Sequence, residues 1–171
     1  MPGRVKTRLI PLLGAKGAAR LYARMLARTL RTARKAGFEP QLLLASAQGR
    51  GDLGARMHRA FAKALKKRES AILIGSDCPC MKPSDLRAAA RALGTGADAV
   101  FSPAEDGGYA LVGLRRNARR VFEGIDWGGP KVMAQTRRRL KQLGWQWKEL
   151  RTLWDVDRPA DVLRLRKGKL P

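Results

Sequence analysis

The chain has 171 residues, 44% of them apolar, which suits one domain with a real hydrophobic core and argues against disorder. No apolar run approaches the ~20 residues needed to cross a bilayer, and Met1-Pro2-Gly3-Arg4 opens no signal-peptide pattern, so the expected compartment is the cytoplasm. With 36 basic against 14 acidic residues the net charge is +22, but it is spread evenly along the chain with no basic tail and few aromatic residues, so a solvated basic exterior is favoured over a nucleic-acid site.

In chain order, residues 1–14 read as a basic loop punctuated by Gly and Pro. The 3.6-residue period then predicts a long helix over Ala15–Ala36, closed by Gly37. Arg20, Arg24, Arg28, Arg31 and Lys35 line one face of it, and Leu21, Met25, Leu26 and Ala33 the opposing core face. Gln41–Ala45 reads as a buried strand. Asp52 is a good N-cap for a helix that presents Leu53, Met57, Phe61 and Leu65 on one side. Ala71–Gly75 is an apolar, β-branched strand. Pro83 at the first helical position begins a helix to Leu93. Strands follow at Asp98–Ser102 and at Gly107–Leu114. A helix over Pro130–Leu143, a short strand at Trp145–Leu150 and a last helix from about Arg158-Pro159 complete the chain. Strands alternating with helices predict a single α/β domain over residues 1–171, a three-layer α/β/α sandwich around a Rossmann-like, mostly parallel sheet.

Four polar clusters punctuate this alternation. In Pro2-Gly3-Arg4-Val5-Lys6-Thr7-Arg8-Leu9, a glycine and three closely spaced cations suit phosphate oxygens, although the spacing is not that of a Walker loop. Asp77 directly follows a strand, where open α/β sheets bind ligands. It suits a divalent cation held against phosphates, and equally an Asx-turn before Pro79 or a cap for the following helix. Glu105-Asp106-Gly107-Gly108-Tyr109 follows another strand; it suits a general base or acceptor-binding carboxylate beside open backbone, or an acidic turn using glycine conformations. In Trp154-Asp155-Val156-Asp157-Arg158-Pro159, Asp157 suits either a helix N-cap or a second cation ligand. The two cysteines, Cys78 and Cys80, with the lone His58 give too few ligands for a structural zinc site, and His58 reads as a solvated surface residue.

The segments PGRVKTRL, QGRGDLGARM, IGSDCP, PAEDGGYALVGL and DVDRPADV together resemble a small bacterial family of the GT-A, or nucleotide-diphospho-sugar transferase, superfamily. Its members are often labelled radical-SAM- or selenodomain-associated transferases. The resemblance implies a Mg²⁺- or Mn²⁺-dependent transfer from a nucleotide-activated donor to an unknown acceptor, glycosyl transfer first and nucleotidyl transfer as the alternative. By position it implies that Gly3, Arg4, Lys6 and Arg8 form the phosphate loop. Asp77 and Asp157 become metal ligands and Asp106 the catalytic carboxylate. Gly107, Gly108, Tyr109 and Trp127 fall on the acceptor side, with Gly128 and Gly129 where such proteins usually carry hydroxyl residues. Relatives also carry an apolar strand before the PGRVKTRL loop. With Met1 directly before Pro2, the resemblance implies a sheet without that first strand, whose open edge invites pairing with a second copy. A polyanion-binding protein, or an inactive relic of the fold, is the rival reading.

Overall fold

A computed structural model of the chain describes residues 2–3 and 5–167. Helix α1 spans Ile10–Lys35 with a break at Gly14 (φ 65°, ψ 164°), so its regular part begins where the sequence period predicts. There follow α2 (Leu53–Ala64), β1 (Ala71–Ile74), α3 (Pro83–Gly94), β2 (Ala99–Pro103), β3 (Tyr109–Leu114), α4 (Val132–Gln142), β4 (Trp147–Glu149) and α5 (Pro159–Lys167). Local chemistry fixes the starts of α2 and α3. The Ala55 N–H donates to Asp52 Oδ1 at 2.7 Å, and the Lys82 N–H donates to Asp85 Oδ2 at 2.7 Å ahead of Pro83.

The strands form one sheet in the order β1-β3-β2-β4. β3 is antiparallel to both β1 and β2, and only β2 and β4 pair in parallel. The sheet is therefore mixed, which corrects the expected mostly parallel arrangement. The reason is the connection between β2 and β3. Five residues, Ala104–Gly108, reverse the chain with the Gly107 N–H donating to Ala104 O at 3.0 Å, and so short a link can only return antiparallel.

Gln41–Ala45 is a second correction. This segment forms no strand, and Leu42, Leu43 and Leu44 are exposed, because β1 is an edge strand among the described residues and no strand stands between it and this run. His58 is half-buried rather than solvated, with Nδ1 3.1 Å from Asn117 Oδ1.

Alternating strand residues divide between two apolar clusters. Ile72, Ile74, Val100 and Leu111 pack with Ala33 of α1 and with Leu86, Ala89 and Leu93 of α3. Leu73, Ala99, Phe101, Val112 and Leu114 pack with Met57 and Phe61 of α2 and with Met133 and Leu140 of α4. A third cluster ties Leu9, Ala18 and Met25 to Val156, Val162 and Leu165, so it docks the N-terminal segment against α5. Among the described residues no helix is long and apolar enough to cross a membrane.

Candidate active site

Because β1 and β2 both run antiparallel to β3, they run parallel to each other, and β4 runs parallel to β2. Their three carboxyl ends therefore lie on the same side of the sheet. Chain continuing past β4 stays beside the end of β2 through the parallel bridge between Ala104 and Leu153. An acidic residue follows each end: Asp77 after β1, Asp106 after β2 and Asp155 after Leu153. All three line one cleft of about 190 Å³, together with Leu53, Tyr109 and Trp127. Ligand sites in open α/β sheets sit at this end.

The cleft carries concentrated negative charge. Asp155 is pushed up to about 6, first by burial and then by the charges of Asp106 and Asp77. Asp106 is exposed, and its Oδ1 accepts from the Gly108 N–H at 2.9 Å, so it closes its own turn while remaining open to the cleft. Gly107 (φ 91°) must be glycine there: a Cβ would sit 2.0 Å from Pro130 O, and the Gly107 carbonyl accepts from the Met133 N–H at 2.8 Å at the start of α4.

At the cleft rim the N-terminal loop folds onto the acidic turn. Lys6 Nζ lies 2.7 Å from Asp77 Oδ2 and 3.5 Å from Asp157 Oδ1, and Arg8 pairs with the other Asp157 oxygen. The Lys6 side chain is 9% exposed, so its ammonium gives up most of its water and takes carboxylates in exchange. Lys6 has φ 49°, the sole non-glycine residue among those described with a left-handed backbone. This left-handed backbone sits at the ion pair that links positions 6, 77 and 157.

Trp127 and Tyr109 form the opposite wall. Their rings meet edge-on at 6.3 Å, and Tyr109 meets Phe101 edge-on at 5.1 Å. Burial holds the Tyr109 hydroxyl above its ordinary range. The Trp127 indole lies against Gly54, where a Cβ would come within 2.8 Å of Nε1 and within 2.7 Å of Phe122 O.

The structure thus brings Asp77, Asp106, Gly108, Tyr109 and Trp127 to one cleft, with Gly128 and Gly129 beside them. Lys6, Arg8 and Asp157 stand at its rim. Gly3 lies in the turn that leads to this rim, with φ 80°. Arg4 lies outside the described residues. Asp157 does not cap α5; that role falls to Asp161, whose Oδ2 accepts from the N–H groups of Asp157 and Arg158 at 3.0 and 2.7 Å. Asp155 is the carboxylate that sequence reasoning passed over in favour of Asp157. Its signal was present, since it follows the apolar Leu153 as Asp77 follows β1. Among the described residues no set of three or more His, Cys, Asp or Glu side chains is arranged to hold a metal ion.

The chain thus has an α/β fold with an acidic cleft at its strand ends and a basic loop at the rim. The chain is similar to the crystal structure of a "putative nucleotide-diphospho-sugar transferase" from Desulfovibrio desulfuricans G20, with 28% identity and a TM-score of 0.84, over 99% of this chain and 84% of that one. It belongs to the family described as "Uncharacterized protein conserved in bacteria (DUF2064)", whose model matches residues 14–129. None of the curated proteins matches it. The transferase-type fold expected from the sequence motifs is therefore borne out, with a mixed sheet in place of a mostly parallel one.

Proposed function

We propose that this protein transfers a glycosyl group from a nucleotide-activated donor, with the donor phosphates at the rim formed by Lys6, Arg8, Asp77 and Asp157. The observation that carries this reading is the position of the Lys6 ammonium. It sits in contact with the acidic turn after β1, where a phosphate-binding cation and a carboxylate must meet if a diphosphate is to lie across the strand ends. Arg8 is well exposed and presents a second cation on the same side. Likeness to a protein named for nucleotide-diphospho-sugars, rather than any distance in the cleft, is what sets glycosyl ahead of nucleotidyl transfer. The two apolar clusters on opposite faces of the sheet support the three-layer arrangement of that fold.

A divalent ion is part of the proposal. Mg²⁺ needs only one or two protein carboxylates when donor phosphates complete its shell. Asp77 and Asp155 face the same cleft and are the two carboxylates that would hold the ion. Asp157 does not line the cleft and pairs with both Lys6 and Arg8, so Asp155 assumes the second-ligand role and Asp157 anchors the loop. When bound, the ion would neutralise charge on the departing nucleotide. The chain's own residues do the rest. Lys6 and Arg8 hold phosphate oxygens, Asp106 accepts a hydrogen bond from the acceptor hydroxyl and orients it, and the Trp127–Tyr109 wall keeps water from one side.

The reading is tested by titrating nucleoside diphosphates, nucleotide-sugars and nucleoside triphosphates, with and without Mn²⁺, while following tryptophan emission and heat. Saturable binding of at least one nucleotide-sugar, strengthened by Mn²⁺, is expected. Binding only to RNA, weakening steeply with salt and indifferent to metal, would establish the polyanion-binding rival instead.

A further inference from the structure

The turn that carries Asp77 also holds the two cysteines of the chain, and neither takes part in the proposed transfer. Cys78 Sγ and Cys80 Sγ lie 3.6 Å apart across Pro79. Cys78 is buried in the cluster with Leu86, Val100 and Leu153, whereas Cys80 is only half-buried. A disulfide needs sulfurs about 2.05 Å apart, so the pair must close by roughly 1.5 Å. That approach is within reach of side-chain rotation plus a small shift of the turn.

The surroundings favour attack by Cys80. Its Sγ accepts from the Trp154 N–H at 3.4 Å and lies 3.5 Å from Trp154 O, and the Arg151 guanidinium donates to Cys80 O at 2.7 Å. The bond to Cys78 lowers the Cys80 thiol to about 6, helped by the Trp154 backbone and Arg151 against the opposing effect of burial. One sulfur is thus partly accessible and the other buried beside it, the arrangement of an attacking and a resolving cysteine.

We propose that Cys78 and Cys80 are a reversible oxidation site, at which a hydroperoxide closes an intramolecular disulfide that disturbs the acidic cleft. Cys80 sulfur attacks the peroxide, the O–O bond breaks, and a sulfenic acid forms with release of water or alcohol. Cys78 sulfur then attacks the Cys80 sulfur and expels a second water. The two thiols lose two electrons and two protons, and the peroxide is reduced. Closure takes away the Cys80 S–H that faces Trp154 O and draws on the turn that begins at Asp77. Asp77 is joined to the neighbouring segment through the Val156 N–H, which donates to Asp77 O at 3.0 Å. This turn therefore ties the segment after β4, which carries Asp155, to Asp77.

The test uses the full chain, reduced and then exposed to stoichiometric hydrogen peroxide. The oxidised wild type should lose 2 Da, remain monomeric on a non-reducing gel, show a Cys78–Cys80 link on peptide mapping, and recover both thiols with a phosphine reductant. Cys78→Ser should stop at a Cys80 sulfenic acid that dimedone traps. Cys80→Ser should leave Cys78 unmodified. Hydrogen exchange should report the consequence, with amides of residues 154–157 exchanging at least ten-fold faster in the oxidised wild type and unchanged in Cys80→Ser under the same treatment. Oxidation that yields only intermolecular dimers, only sulfinic acid, or a closed disulfide with unaltered exchange at 154–157 would overturn the proposal. None of these readouts involves nucleotide, so failure here leaves the transferase reading standing.

Discussion

The ion pair between Asp85 and Arg151 allows a worked prediction. Asp85 sits in the first turn of α3 and is buried, with its side chain 8% exposed. Its Oδ2 accepts from the Lys82 N–H and from Arg151 Nη2, both at 2.7 Å, and its Oδ1 accepts from Arg151 Nε at 2.8 Å. Arg151 also donates to Cys80 O, so one guanidinium joins α3, the turn after Asp77 and the chain following β4. Replacing Asp85 with Ala removes a cap contact of about 1 kcal/mol. It also removes a two-point charged fork. Such bonds reach ~1.5–3 kcal/mol each when buried, but Arg151 is 45% exposed and solvent screens it, so about 1–2 kcal/mol in all is the better figure. The expected loss is ~2–3 kcal/mol. With a urea slope of roughly 2 kcal/mol per M, the midpoint should fall by about 1–1.5 M at unchanged slope. A double-mutant cycle with Arg151→Ala should show coupling of about 1 kcal/mol or more. A loss below ~1 kcal/mol, or two strictly additive changes, would refute the assignment of this pair as the tie between α3 and the acidic turn.

The same pair sets a pH dependence. Burial works to raise the Asp85 carboxyl, but Arg151 and the Lys82 N–H outweigh it and hold the group below the usual carboxylate range. A depressed carboxyl contributes stability that is complete above the unfolded value of about 3.9 and is lost as pH falls through the folded value. Wild type should therefore lose its stability advantage over Asp85→Asn below about pH 4, as read by urea midpoints across pH 3–7. Gly54→Ala should destabilise by ~1–3 kcal/mol and change Trp127 emission, because the added methyl meets the Phe122 carbonyl at 2.7 Å, which cannot swing aside. Phe61, fully buried and stacked on Phe122 with centroids 6.0 Å apart, should cost about 3–5 kcal/mol on truncation to Ala in the same denaturation assay. Lys6→Met should weaken nucleotide-sugar binding by calorimetry at least ten-fold, since it removes the cation at the rim and keeps an unbranched apolar stem.

Much of this architecture was legible in the residues. Helical period and caps placed α2 and α3 within a residue or two, because Asp52 and Pro83 act locally. The sheet was misread where pairing decides the outcome. Gly107-Gly108 marks a turn so short that β3 must reverse, and the alternation of strands and helices masked this. Leu42-Leu43-Leu44 has the composition of a buried strand but no neighbour to pair with, and composition cannot supply one. At the site, acidic residues after apolar strands pointed to Asp77 and Asp106, which the structure brings to one cleft. Asp155 lines the cleft while Asp157 pairs with Lys6 and Arg8, and that difference depends on how the N-terminal loop packs beside α5, which spacing alone does not show. The contact of Lys6 with Asp77 spans 71 positions and arises only when the N-terminal loop packs on α5 through Leu9 and Val162.

The central claim is that a nucleotide-activated donor is held at the Lys6–Asp77 rim. It is tested most directly by calorimetric titration of the tightest-binding nucleotide-sugar in Mn²⁺ into wild type and Asp77→Asn, with circular dichroism confirming that both are folded. The account predicts saturable one-site binding to wild type and at least a ten-fold loss in the variant. Equal affinity in the two folded proteins, or no binding of any nucleotide-sugar to wild type, would contradict it.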